Sequence, residues 1–129
     1  MLNQLLYDFH ALKTMSVEDK EAPTKLFSSI SKMCWLDGGH NGGKLTWPTD
    51  KSILKSFADE SSINVDVRVT PYQVKDVMRP WIGKEEKVFS STFRQLAASR
   101  LARSIHFVED EPSLVNHFRV IDTLCDDIL

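Results

Sequence analysis

The sequence is sparing with the residues that staple, bend or anchor a chain. It has two cysteines in 129 residues, Cys34 and Cys125, standing 91 positions apart with no metal-ligand spacing. That excludes a disulfide scaffold and leaves two reduced thiols, as expected of a cytosolic protein. Long apolar runs are missing: none approaches the ~20 residues of a membrane span, and none precedes a small-residue cleavage site. The expectation is a cytoplasmic protein without membrane contact. Neither sign of charge prevails, the net being −2. No internal repeat or low-complexity segment occurs. Glycine is scarce, and four of the five glycines fall in one stretch, CWLDGGHNGGKLTWPTD, residues 34–50.

What is present describes an ordinary globular chain. Apolar residues make up 42% and charged residues 26%, and the length fits one domain, 1–129, with a core large enough to fold unaided. Charge is unevenly spread: residues 1–43 carry −1, 44–103 carry +4 and 104–129 carry −5. A basic middle beside an acidic C-terminal segment points to an anionic partner for the middle.

Periodicity predicts a mostly α fold, about five helices with a small two- or three-stranded β element. Leu2, Leu5, Leu6, Phe9 and Leu12 follow helical spacing. Ser16 reads as an N-cap followed by acidic residues, and Pro23 as the start of a second helix. Leu26, Phe27, Ile30, Met33 and Cys34 then form one apolar stripe, stopping at Asp37-Gly38. Lys44 to Trp47 fits a very short strand. Thr49 or Asp50 caps a helix burying Ile53, Leu54 and Phe57. Ile63, Val65, Val67 and Val69 alternate with polar residues, the strongest strand signal in the chain. Thr70-Pro71 opens a helix with Val74, Val77, Met78 and Trp81 on its core face. A longer helix is predicted over about 85–104, with a short strand at IHFVED. A last helix from Pro112 has Leu114, Phe118, Ile121, Cys125 and Ile128 in coiled-coil-like spacing. Packing of that seam into the core is the expected use, with a homodimer seam as the alternative.

The glycine stretch raises the question of phosphate binding. GGHNGGKL, residues 38–45, approaches the pattern G-x-x-x-x-G-K-[ST], but Leu45 holds the position of the metal-binding hydroxyl. A phosphate loop also runs from a strand into a helix. Here the upstream residues have helical periodicity, and Pro48 interrupts any helix started at Lys44. The stretch reads as a turn.

Read with its flanks, the stretch is a joint: WLDGG, a Gly-rich turn, Trp47-Pro48-Thr49, a helix, and then the capped TPYQVKDVM. Residues 24–82 resemble the winged helix-turn-helix modules of plasmid and phage replication initiators and related regulators. The resemblance implies a small DNA-binding regulator acting on duplex DNA. Tyr72, Gln73 and Lys75 would face base edges, and Lys51, Lys55, Arg68, Thr70 and Arg79 would hold phosphates.

A second reading needs no nucleic acid. If Ile63, Val65, Val67 and Val69 form a sheet edge, a protein partner can add a strand there. The chain would then be an inhibitor, adaptor or assembly subunit, using that edge and the C-terminal helix. Arg94, Arg100 and Arg103 do not share one helix face and read as solubilising charge. His10, His40, His106 and His117 pair with nothing at zinc-site spacing, and no nucleophile-elbow motif occurs. No cofactor, metal or enzymatic activity is expected on these grounds, although a site assembled from distant residues leaves no local signature.

Overall fold

The computed structural model describes residues 2–39 and 43–128. Helix α1 spans Leu2–Ala11 and α2 spans Val17–Ser28. The Ser16 side chain accepts from the Asp19 amide, so α2 starts where the capping residue predicts. Pro23 does not begin this helix but lies inside it, where it forgoes one intrahelical bond.

The apolar stripe at 26–34 is not one helix. The chain leaves α2 at Ser28 and becomes strand β1, Lys32–Leu36, in which Met33 and Trp35 are buried and Lys32 is exposed. A short apolar run fits both periods, and tertiary pairing decided for the strand. Residues 44–47, expected as a strand, are turn and coil. Helix α3, Lys51–Glu60, is capped by Asp50, which accepts from the Ser52 amide at 2.8 Å. It is followed by β2, Asn64–Val69.

The helix from Pro71 is a single turn, α4, Pro71–Val74. Val77 and Met78, expected in the core, are exposed. Pro80 opens the next helix rather than ending the last one: α5 spans Pro80–Ala97, and β3, Leu101–Ile105, takes residues assigned to a helix end by sequence. Helices α6, Leu114–Arg119, and α7, Asp122–Ile128, divide the expected C-terminal helix. Leu114, Phe118 and Ile121 are exposed, so that seam does not pack into the core.

The three strands form one parallel sheet in the order β1-β2-β3. Trp35 stands opposite Val67, and Val67 opposite Arg103. Parallel neighbours need long crossovers, here supplied by α3 and α5, which pack against each other. Chain topology therefore makes β2 the centre of the sheet. It is not an edge, and Val65, Val67 and Val69 are buried beside Ile63. Strand addition at these residues is ruled out, because both sides of the β2 backbone are paired.

One sheet face carries Met33, Trp35, Val65, Val67 and Val69 into a core shared with Leu6, Leu54, Phe57, Phe89 and Phe93. Its rings meet in tilted or edge-on pairs, Trp35 to Phe89 at 5.2 Å and Trp47 to Phe89 at 5.1 Å. Each such pair is worth about 0.5–1.5 kcal/mol beyond area burial. Arg103 reaches from β3 to the fully buried Glu86 of α5 with bonds of 2.6 and 2.9 Å. Arg100 donates to the Ser61 and Ala58 carbonyls at the end of α3. These two arginines hold elements together and are not solubilising charge. On the other face Arg68 binds Asp66 of its own strand and Thr123 and Asp127 of α7. Among the described residues no helix is long and apolar enough to cross a membrane.

Candidate functional site

In open parallel sheets, ligands bind beyond the carboxyl ends of the strands. Here those ends gather the polar groups that the core excludes. Asp37 follows β1, Thr70 follows β2 and His106 follows β3. The Asp37 amide donates to the Arg68 carbonyl at 2.8 Å and the His106 amide to the Val69 carbonyl at 2.8 Å. Both residues therefore extend the ladder by one rung.

Asp37 has 0% exposure. Its Oδ1 accepts from the Thr70 amide at 2.6 Å, and its Oδ2 accepts from the Thr70 hydroxyl. Oδ2 also faces Nδ1 of His117, in α6, at 3.0 Å. The Asp37 backbone turns through φ 47°, in the left-handed region. Aspartate tolerates that region better than most side chains, and here it swings the carboxylate across the end of β2. Burial pushes the Asp37 carboxyl up from its ordinary value, while the Thr70 hydroxyl and amide and the His117 ring pull it back. An anion is held in the interior only by such donors.

His117 is clamped from several sides. Its ring lies 5.3 Å from Tyr72 and 5.0 Å from Phe118. A carboxylate on Nδ1 fixes the tautomer that carries its proton there, which places the lone pair on Nε2. The amino end of α1 reaches the same side: the Trp35 indole donates to Asn3 at 2.5 Å, and Asn3 donates to the Thr46 carbonyl at 2.6 Å. A second polar pair lies near the end of β3, where the Ser104 hydroxyl and Nε2 of His106 are 2.7 Å apart.

The residues assigned to DNA do not form an interface. Arg68 is buried and bound to Asp66 and Asp127, Thr70 is spent on Asp37, and Gln73 is 5% exposed with Oε1 packed toward Gly39. Tyr72 is half-buried beside His117, and Arg79 is engaged by Asp76. Lys51, Lys55 and Lys75 are exposed, with Lys55 paired to Asp59. A single-turn α4 with its glutamine inward cannot enter a groove. The glycine stretch is preceded by a strand after all, so that argument against a phosphate loop falls, while Leu45 and Pro48 still stand against it. Its residues 40–42, and with them His40, lie outside the described residues.

Sequence reasoning missed Asp37 and His117. By sequence Asp37 belongs to a helix stop, and the two residues are 80 positions apart. The available signal was an acidic residue directly after an apolar strand and before two glycines, but the strand itself went unrecognised.

A family model described as C2orf69 matches residues 1–99. The mitochondrial protein C2orf69 homolog of Mus musculus is 46% identical over 120 residues, 93% of this chain and 31% of the mouse protein. Mitochondrial protein C2orf69 of Homo sapiens is 46% identical over 120 residues, 93% of this chain and 29% of the human protein. The Danio rerio homolog is 41% identical over 121 residues, 94% and 33% of the respective chains. The chain thus spans about a third of the length of these relatives. No solved structure matches. These findings overturn the resemblance to plasmid and phage winged helix-turn-helix initiators, and with it the DNA-binding regulator. The relatives are animal proteins named as mitochondrial, so the cytoplasmic expectation falls too. The chain belongs to the C2orf69 family.

Proposed function

We propose that the chain supplies the acid–base arm of a hydrolytic centre acting on a carbonyl substrate, in mitochondria, where the names of its relatives place those proteins. This departs from the expectation of a non-enzyme. The observation that carries it is the sealed Asp37 carboxylate on Nδ1 of His117, at the carboxyl ends of parallel strands. An acid that precedes its histidine in the chain and orients it through Nδ1 is the arrangement of α/β hydrolytic sites.

The chemistry follows from the geometry. Asp37 holds the imidazole in one tautomer. Nε2 of His117 takes the proton of a hydroxyl, from water or a side chain, as its oxygen bonds to the carbonyl carbon. The same nitrogen returns the proton to the leaving group as that bond breaks, and Asp37 steadies the imidazolium between the two steps. The relatives are about three times as long as this chain, so in them the nucleophile can come from outside the shared third.

A second reading makes the pair a latch that fastens α6, which packs on α4, to the sheet. The two are separated by measuring hydrolysis of 4-nitrophenyl acetate and butyrate by the wild type and by His117→Ala and Asp37→Asn. Proton NMR is run in parallel to find the strongly deshielded Nδ1 proton of a carboxylate-bound histidine. The hydrolytic reading expects that proton in the wild type. It also expects a rate loss of roughly 10²–10⁴-fold in folded variants. Equal rates above the uncatalysed background in all three folded proteins would leave only the latch, as would the absence of the deshielded proton in the wild type.

A further inference from the structure

Near the end of β3, on the sheet face where Arg68 reaches α7, lies a hydroxyl–imidazole pair that the acid–base arm does not use. Ser104 stands opposite Arg68 in the register, so both side chains project to that face. The Ser104 hydroxyl is 2.7 Å from Nε2 of His106. Nucleophile and base within one hydrogen bond is the geometric requirement for an activated serine. Both residues are partly exposed, so a small reagent can reach them. Arg68 does not quench the pair: its donors are taken by Asp66, Asp127 and Thr123. Asp37 and His117 meet directly, with Thr70 at the end of β2 holding Asp37, whereas this pair lies at the end of β3, an edge strand.

We infer that Ser104 is a nucleophile, activated by His106, that accepts an acyl group from an activated ester. In the step, Ser104 Oγ bonds to the carbonyl carbon and the carbon–aryloxide bond breaks. The aryloxide leaves, and the hydroxyl proton passes to Nε2 of His106. No oxidant or metal is involved. The product is an O-acyl serine at position 104. A hydrogen bond that merely ties off the strand end would give no such product.

The test is intact-mass and peptide-mapping spectrometry of the whole protein after exposure to 4-nitrophenyl acetate. One acetyl group on Ser104 is expected in the wild type. Ser104→Ala loses that adduct, and Ser104→Cys retains an adduct at the same position. In His106→Gln the rate of adduct formation falls at least tenfold, while circular dichroism matches the wild type. Should His106→Gln unfold, His106→Asn serves in its place. Acetylation confined to lysines, or an unchanged Ser104 rate without the imidazole in a folded variant, overturns the assignment. Loss of 4-nitrophenyl ester turnover in His117→Ala bears on the other site alone, because the readout here is the adduct at position 104.

Discussion

Nδ1 of His117 lies 3.0 Å from Oδ2 of Asp37 across 80 positions of sequence. Thr70 completes the arrangement from the neighbouring strand, through both its amide and its hydroxyl. Three segments that share no local pattern thus meet around one buried carboxylate.

Removing that carboxylate should cost stability apart from any activity. Asp37→Ala leaves the buried Thr70 amide without its acceptor, and an orphaned buried donor costs about 1–3 kcal/mol. Urea denaturation should show a lower midpoint with an unchanged slope. A midpoint equal to that of the wild type would mean that the Thr70 amide finds another acceptor.

The Glu86–Arg103 pair should behave as a unit. Arg103→Met strands the fully buried Glu86, and losing one partner of a buried pair typically costs about 3–5 kcal/mol. The double variant Glu86→Met/Arg103→Met removes both charges and should recover much of that loss. A double-mutant cycle with no coupling would contradict the pairing.

Acid should loosen α7. Arg68 holds Asp127 below the ordinary carboxylate range through a hydrogen bond and its charge. A depressed carboxyl contributes stability above its unfolded value and loses it as pH falls through the folded value. The bond is therefore intact at neutral pH and fails only below the ordinary carboxylate range. The protection factors of the α7 amides, which allow for the intrinsic slowing of exchange in acid, should fall on acidification below that range. Asp127→Asn should show lower protection factors already at neutral pH, and those factors should change less with pH.

Gly83→Ala puts two effects in opposition. Inside a helix, alanine is favoured over glycine by about 1 kcal/mol. At Gly83, however, a Cβ would lie 2.3 Å from the Val74 carbonyl oxygen, a backbone atom that cannot rotate away. We expect net destabilisation by about 1–3 kcal/mol, typical of overpacking. Gly39→Ala, which meets the side chains of Gln73 and Ile82 at 2.5 Å, should cost less because side chains can yield. Thermal melts of the two variants give the order, and a stabilised Gly83→Ala would refute the close approach of α4 and α5.

Local chemistry was legible where one or two residues settle it. Ser16 and Asp50 cap their helices because short oxygen-bearing side chains satisfy free amides wherever a helix starts. The alternation at 63–69 marks β2 because a strand turns successive side chains to opposite faces. Asp66 and Arg68, the polar half of that alternation, are nevertheless buried, because the two charges satisfy each other and Thr123 and Asp127 of α7 take further Arg68 donors.

The sequence by itself determined a mostly helical chain with a small sheet, its principal caps and its central strand, since these follow from backbone sterics and short-range hydrogen bonds. Only the tertiary structure decided that residues 32–36 and 101–105 are strands, that β2 lies inside the sheet, and that Asp37 meets His117. A strand needs a partner before its backbone is satisfied, and a buried carboxylate needs donors from elsewhere in the chain. Neither requirement is met by neighbours in sequence, so neither could be read from them.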